Sequence, residues 1–237
     1  MTVAAYALRL GDDALVLSQQ LGFWITQAPE LEEELAVANI ALDLLGQARA
    51  LLSRAGDEDE LAYSRDSTAF GNLLLVEQPN GDYAQTMIRQ LLFSTFQLAR
   101  YQALVDHPDE TIAGVAGRGV KEVTYHRDHA AQWVIRLGDG TRESHTRTAD
   151  ALTRLWPFTA EMFAGDDLDD HFGLDPASLR PGWLDVVGEV LRRAMLTVPP
   201  LAEPGPTGGR RGQHTAHLEV LLAEMQSVRR AIPQGSW

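Results

Sequence analysis

The segment PELEEELAVANIALDLLGQARALLSRAG, residues 29–56, decides the fold. Its Leu31, Leu35, Ala38, Leu42, Leu45 and Leu52 recur at helical spacing over about six turns, a period that a strand, repeating every two residues, cannot produce. Glutamates 32–34 crowd the first turn, Arg49 and Arg54 lie late, and Gly56 stands where a C-cap belongs. The spacing predicts one long helix, with the leucine strip as its core face.

Outward from this helix the same period recurs on both sides. Upstream, residues 12–29 carry Leu17, Leu21, Trp24 and Ile25 on one face, with Asp12 and Asp13 suited to the N-terminus and Pro29 marking the break. Downstream, the polar connection DEDELAYSRDSTAFGN (57–72) leads to LLLVEQPNGDY (73–83), where Pro79, Asn80 and Gly81 form a turn. A third long helix is expected from Asp82 to Asp106 and a fourth from about Pro108 to Leu137. The first half of the fourth is weakened by Gly114, Gly117 and Gly119, each costing on the order of 1 kcal/mol relative to alanine.

A fifth helix over 143–165 packs through Leu152, Leu155, Trp156, Met162 and Phe163, and a sixth lies near Trp183 to Thr197. A Pro- and Gly-rich arm at about 198–213 precedes a last helix from about His214 to Ile232, with Leu218, Leu221, Leu222, Met225 and Val228 in register. No alternation persists long enough for a strand. The expected architecture is all-α: one domain over residues 1–237, an up-and-down bundle of four core helices with extra terminal helices.

Composition narrows the function classes. The 237 residues hold 20 basic against 33 acidic side chains, a formal net charge of −13, which argues against nucleic acid as the main partner. No cysteine occurs, so disulfides, thiolate nucleophiles and sulfur-ligated metals are excluded. The N-terminus lacks a basic region followed by an apolar run, and no stretch of about 18 apolar residues is apparent, so a cytoplasmic protein off the membrane is expected. GVAGRG follows no strand and is no dinucleotide fingerprint, and Ser53 and Ser94 show no hydrolase pattern.

A helical bundle can house a pair of carboxylate-bridged metals, so KEVTYHRDH (121–129) bears on chemistry. Glu122, His126 and His129 fall at i, i+4 and i+7 on one stripe, which is a set of iron ligands, a solvated face, or the remains of a site. A di-iron centre needs a carboxylate from each of two helices and a Glu-x-x-His pair from each of the other two. The third helix offers neither glutamate nor histidine, and its only acids, Asp82 and Asp106, stand at opposite ends. In the second helix only Asp43 of the polar stripe Asn39, Asp43 and Gln47 can serve as an anionic ligand. Glu122 and His126 are four apart rather than three, and Glu161 and His145 are too far apart to share a site.

Six co-linear blocks then point to a family: YALRLGDDALVLSQQLG, APELEEELAVANIALDLLGQAR, FGNLLLVEQPNGD, KEVTYH, LTRLWPFTAEMF and GGRRGQHTAHLEVLLAEMQ. In order and spacing they resemble the C-subunit family of the multicomponent (ring-1,2-)phenylacetyl-CoA epoxidases of phenylacetate catabolism. The resemblance implies a ferritin-like bundle in a hetero-oligomer with the other epoxidase subunits, among them a homologous catalytic one, the A-subunit. It places the di-iron in that catalytic partner and no cofactor in this chain, whose Asp43, Glu122 and His126 are then vestigial. The chain is expected to be a non-catalytic structural subunit sharing phenylacetyl-CoA with its partner. The alternative is an independent carboxylate-bridged di-iron oxidase built on those same three residues.

The resemblance also ascribes substrate-lining positions to AFGN, Ala69, Phe70, Gly71 and Asn72, where Ala69 departs from the glutamine the family would carry, and more weakly to Asp170, His171 and Phe172. A phenylalanine with an amide two residues on offers an apolar surface and hydrogen bonds to a thioester or pantetheine arm, and the same residues equally make a turn with an Asn cap and a buried ring. Arg210 and Arg211, between glycines and before a helix start, suit the CoA phosphates, an acidic partner helix, or an internal carboxylate.

Overall fold

Helix α1, Val3–Gly22, begins nine residues before the sequence pattern placed it, with the Thr2 hydroxyl accepting from the Ala5 amide at 3.3 Å. Asp12 and Asp13, expected at a helix N-terminus, are therefore mid-helix and fully buried. The computed structural model describes residues 2–200, 205–233 and 235, which are helices, turns and loops with no strand among them. The chain divides into two compact units, Met1–Pro79 with Gly208–Trp237, and Asn80–Thr207.

In the first unit α1 packs antiparallel on α2, Leu31–Ala55: the Ser18 hydroxyl donates to the Ala41 carbonyl at 2.7 Å, while Gly11 lies against Leu51 and Leu52. The core face of α2 is Val37, Ile40, Ala41, Leu44, Gln47, Ala48, Leu51 and Leu52. This corrects the expected face, since Leu31, Leu35 and Leu42 are 67, 59 and 62% exposed. The helix carries two apolar stripes one residue out of register, about 100° apart round its axis. The stripe of Val37, Ile40, Ala41, Leu44, Ala48 and Leu51 is buried, with Leu51 and Leu52 against Gly11 of α1, and Leu31, Leu35 and Leu42 face outward. By length and composition alone α2 is also apolar enough to cross a membrane, although Asp43 and Arg49 interrupt it.

The polar connection after α2 contains a short helix, α3, Glu58–Tyr63, and a 3-10 turn, Ser67–Ala69. Residues 72–78 follow without regular structure and yet are buried throughout.

In the second unit α4, Tyr83–Leu104, packs antiparallel on α5, Glu110–Gly138; Tyr83 meets Trp133 edge-on at 5.1 Å, and Gly119 lies against the Tyr101 ring. Helix α6, Arg142–Leu155, stops before Pro157 and continues as a 3-10 segment to Phe163, because the proline ring removes a helix donor. A capping box at Asp166 and Asp169 starts the unexpected short helix α7, Asp167–His171. Helix α8, Pro176–Arg193, starts seven residues before the pattern at Trp183, with proline in its first turn where no amide is needed. Trp183 stacks near Trp156 and Phe163 at 5.5 and 5.2 Å, and its indole N–H donates to the Leu92 carbonyl at 2.9 Å.

Of the arm at 198–213, residues 201–204 lie outside the described residues. The last helix is two, α9, Ala216–Met225, and α10, Ser227–Ala231. They break at Gln226, whose amide turns inward to donate to the Ala62 and Arg65 carbonyls, and Val228 is consequently exposed rather than in the core.

Candidate functional site: a loop knit by three ion pairs

Within the first unit, three carboxylates meet two guanidiniums and an imidazole around residues 69–73. Asp12 and Asp13 reach this loop because α1 passes beneath it, and Arg210 and His214 reach it because the segment after Gly208 folds back onto it. Arg65 bridges both Asp12 oxygens at 2.5 and 3.1 Å, and Arg210 bridges both Asp13 oxygens at 3.1 and 2.9 Å. His214 Nδ1 lies 2.7 Å from Glu77 Oε2. These pairs are almost wholly screened from water, where bidentate guanidinium–carboxylate geometry is strongest.

Each of these three side chains also caps one carbonyl of the loop. Arg65 donates to Ala69 at 2.9 Å, His214 Nε2 to Phe70 at 2.9 Å and Arg210 to Gly71 at 2.7 Å. The carboxylates take the amides: Gly71 donates to Asp12 and Leu73 to Asp13, both at 2.8 Å. Glu77 is saturated by the Asn72 side-chain amide, the Thr215 amide and hydroxyl, and His214. A backbone that makes no ladder of its own thus has its polar groups satisfied by side chains, which is what allows the irregular stretch to be buried.

The proton count at His214 follows from its partners. A carbonyl oxygen only accepts, so Nε2 carries a hydrogen, and the contact of Nδ1 with the Glu77 carboxylate requires a second proton between them. At Asp12, burial pushes the carboxyl above its usual value, opposed by the Arg65 hydrogen bonds and charge and by the Gly71 amide. Gly212 closes the arrangement at φ +71°, so near the Thr68 carbonyl that a Cβ would stand 2.2 Å from the oxygen.

Phe70 and Asn72, expected to line a substrate pocket, are buried among these groups, with the Arg65 guanidinium 4.0 Å over the Phe70 ring; Gly71 is half-buried and Ala69 exposed. Of the two arginines read as anion contacts, Arg210 is committed to Asp13, which is the internal pairing the acidic composition allowed, while Arg211 is exposed. Asp170, His171 and Phe172 belong to the second unit, at α7 and its cap, with Phe172 5.4 Å from the His107 ring. Asp12, Asp13, Arg65, Glu77 and His214 carry no motif that marks them as site residues; the usable signal is a pair of adjacent aspartates inside the apolar run YALRLGDDALVL.

Asp43 lies in the first unit, Glu122 and a fully buried His126 in the second, and among the described residues no group of three or more His, Cys, Asp or Glu side chains converges as a metal site. Burial pushes the Arg89 guanidinium on α4 down to about 9, still cationic at neutral pH. It donates to the Asn80 side-chain oxygen at 2.6 Å.

An all-α chain with long paired helices and a side-chain-knit buried loop defines the class, a ferritin-like helical protein. Across residues 1–237 the sequence matches the model of the phenylacetic acid catabolic protein family, and the chain belongs to that family. It is 45% identical over 246 residues to the C-subunit of the 1,2-phenylacetyl-CoA epoxidase of Escherichia coli (strain K12), covering 99% of each chain.

Proposed function

We propose that this chain is a non-catalytic structural subunit of a phenylacetyl-CoA 1,2-epoxidase complex. It docks on a homologous di-iron catalytic subunit, stabilises it, and helps to shape its CoA-substrate pocket through residues 69–72. The observation that carries the docking role is the exposed stripe Leu31, Leu35 and Leu42 on α2, continued by half-buried Ala38 and Leu45. The 4-3-4-3 spacing of these five residues is that of a seam for another helix. Exposed apolar surface of this kind on a subunit of a multicomponent enzyme is an interface. The non-catalytic part is supported by α4, which carries neither glutamate nor histidine.

The test is co-purification with the catalytic subunit, with iron measured in each chain. Leu35→Glu should abolish the complex while shifting the melting temperature of this chain alone by no more than about 2 °C, since an exposed side chain contributes little to its own fold. Retention of the complex by that variant would overturn the docking face. About two irons per chain in the isolated protein, with an oxo-bridge absorption band, would make it a di-iron oxidase in its own right.

A further inference from the structure

We infer that His214 is a positioning residue for the 69–72 loop, acting through its Nε2–H on the Phe70 carbonyl, and that it thereby sets the affinity of the assembled enzyme for its CoA substrate. The second half of this inference rests on the proposed role of residues 69–72, and the first half does not. Phe70 follows the 3-10 turn and precedes a stretch with no helical ladder, so its carbonyl depends on a side chain, and His214 supplies it at 2.9 Å. The imidazole is itself held from behind by Glu77 at 2.7 Å, and Glu77 by Asn72 and by both donors of Thr215. One face of the loop is therefore referenced to a residue 144 positions away in the chain. Asp12 and Asp13 hold the amides of Gly71 and Leu73, and Arg65 and Arg210 hold the neighbouring carbonyls, so His214 is the group that fixes Phe70 between them.

The two imidazole nitrogens can be removed separately. The amide nitrogen of glutamine occupies the place of Nε2 and that of asparagine the place of Nδ1, so His214→Gln keeps the Phe70 bond and loses Glu77, whereas His214→Asn keeps Glu77 and releases Phe70. Hydrogen exchange at the Gly71 and Leu73 amides of the full chain, and steady-state oxidation of phenylacetyl-CoA by the reconstituted complex, are measured for both. In His214→Asn the loop amides should exchange about tenfold faster and KM should rise about three- to tenfold with kcat within twofold, the loss expected for one buried hydrogen bond. In His214→Gln both should stay within about twofold of the parent. Faster loop exchange in His214→Asn with KM unchanged supports the positioning role and overturns the loop as part of the substrate pocket. Unchanged loop exchange in His214→Asn, or equal effects in the two variants, overturns the positioning role whatever happens to KM. Should His214→Asn fail to fold, His214→Gln alone decides the first half, since it keeps the Phe70 donor, and rapid loop exchange in that folded variant would equally refute the inference.

Discussion

Arg210 of the first unit and Arg89 of the second are both kept from water, and their surroundings differ in kind. Arg210 meets a carboxylate with two donors and spends the rest on the carbonyls of Arg9 and Gly71, so the charge is neutralised where the backbone needs donors. Arg89 sits on a regular helix whose amides and carbonyls are already paired, donates to a neutral amide oxygen, and is pushed down to about 9 by burial. A buried charge knits structure where the backbone is irregular, and it is mostly a cost where the helix satisfies itself.

If that contrast is right, the largest effect belongs to the loop. Arg210→Met strands the Asp13 carboxylate out of water and should destabilise the protein by about 3–5 kcal/mol, read from the midpoint of urea denaturation. Adding Asp13→Asn removes the stranded charge and should recover part of the loss, a coupling that a double-mutant cycle detects. Additive losses would mean that the two side chains are not working as a pair.

Two glycines sharpen the comparison at a smaller scale. Gly212 combines a left-handed φ of +71° with the Thr68 carbonyl 2.2 Å from where a Cβ would lie, so Gly212→Ala asks both strain and backbone movement of the knit loop. The conformation alone costs about 1–3 kcal/mol, and the displaced 3-10 turn adds to it. Gly119 on α5 has no such φ, and its Cβ would meet the edge of the buried Tyr101 ring at 2.5 Å. Overpacking of that sort costs about 1–3 kcal/mol, offset by about 1 kcal/mol of improved helix propensity, so Gly119→Ala should be the milder change in the same denaturation assay.

Much of the helical scaffold could be read in advance because its signal is local. The ends of α4 fall within two residues of those expected, where Asp82 caps the helix and its apolar period stops. The face of α2 could not be read, because a helix with two apolar stripes gives no local sign of which one meets α1; the choice is made in three dimensions, where Leu51 and Leu52 pack against Gly11. The loop was legible only as a segment, AFGN. Its partners come from positions 12, 13, 65, 77, 210 and 214, and no periodicity links residues so far apart.

The smallest expected effect is at Arg89, and it tests the other side of the contrast. Arg89→Met loses the bond to Asn80 but also the cost of holding a guanidinium out of water, so at pH 7 it should leave stability within about 1 kcal/mol of the parent or raise it. The pH dependence has a definite sign. With the folded value lowered to about 9 by burial, well below that of an unhindered guanidinium, the unfolded chain holds more protons than the native one above about pH 9. Stability of the parent therefore rises with pH there relative to Arg89→Met, by up to about 1.4 kcal/mol per pH unit. Urea midpoints of the two proteins compared at pH 7 and pH 10 isolate this contribution, since every other titrating group is common to both. A loss of about 3 kcal/mol or more at pH 7 would place Arg89 with Arg210, as a charge that the second unit needs for its structure, and would dissolve the distinction between the two units.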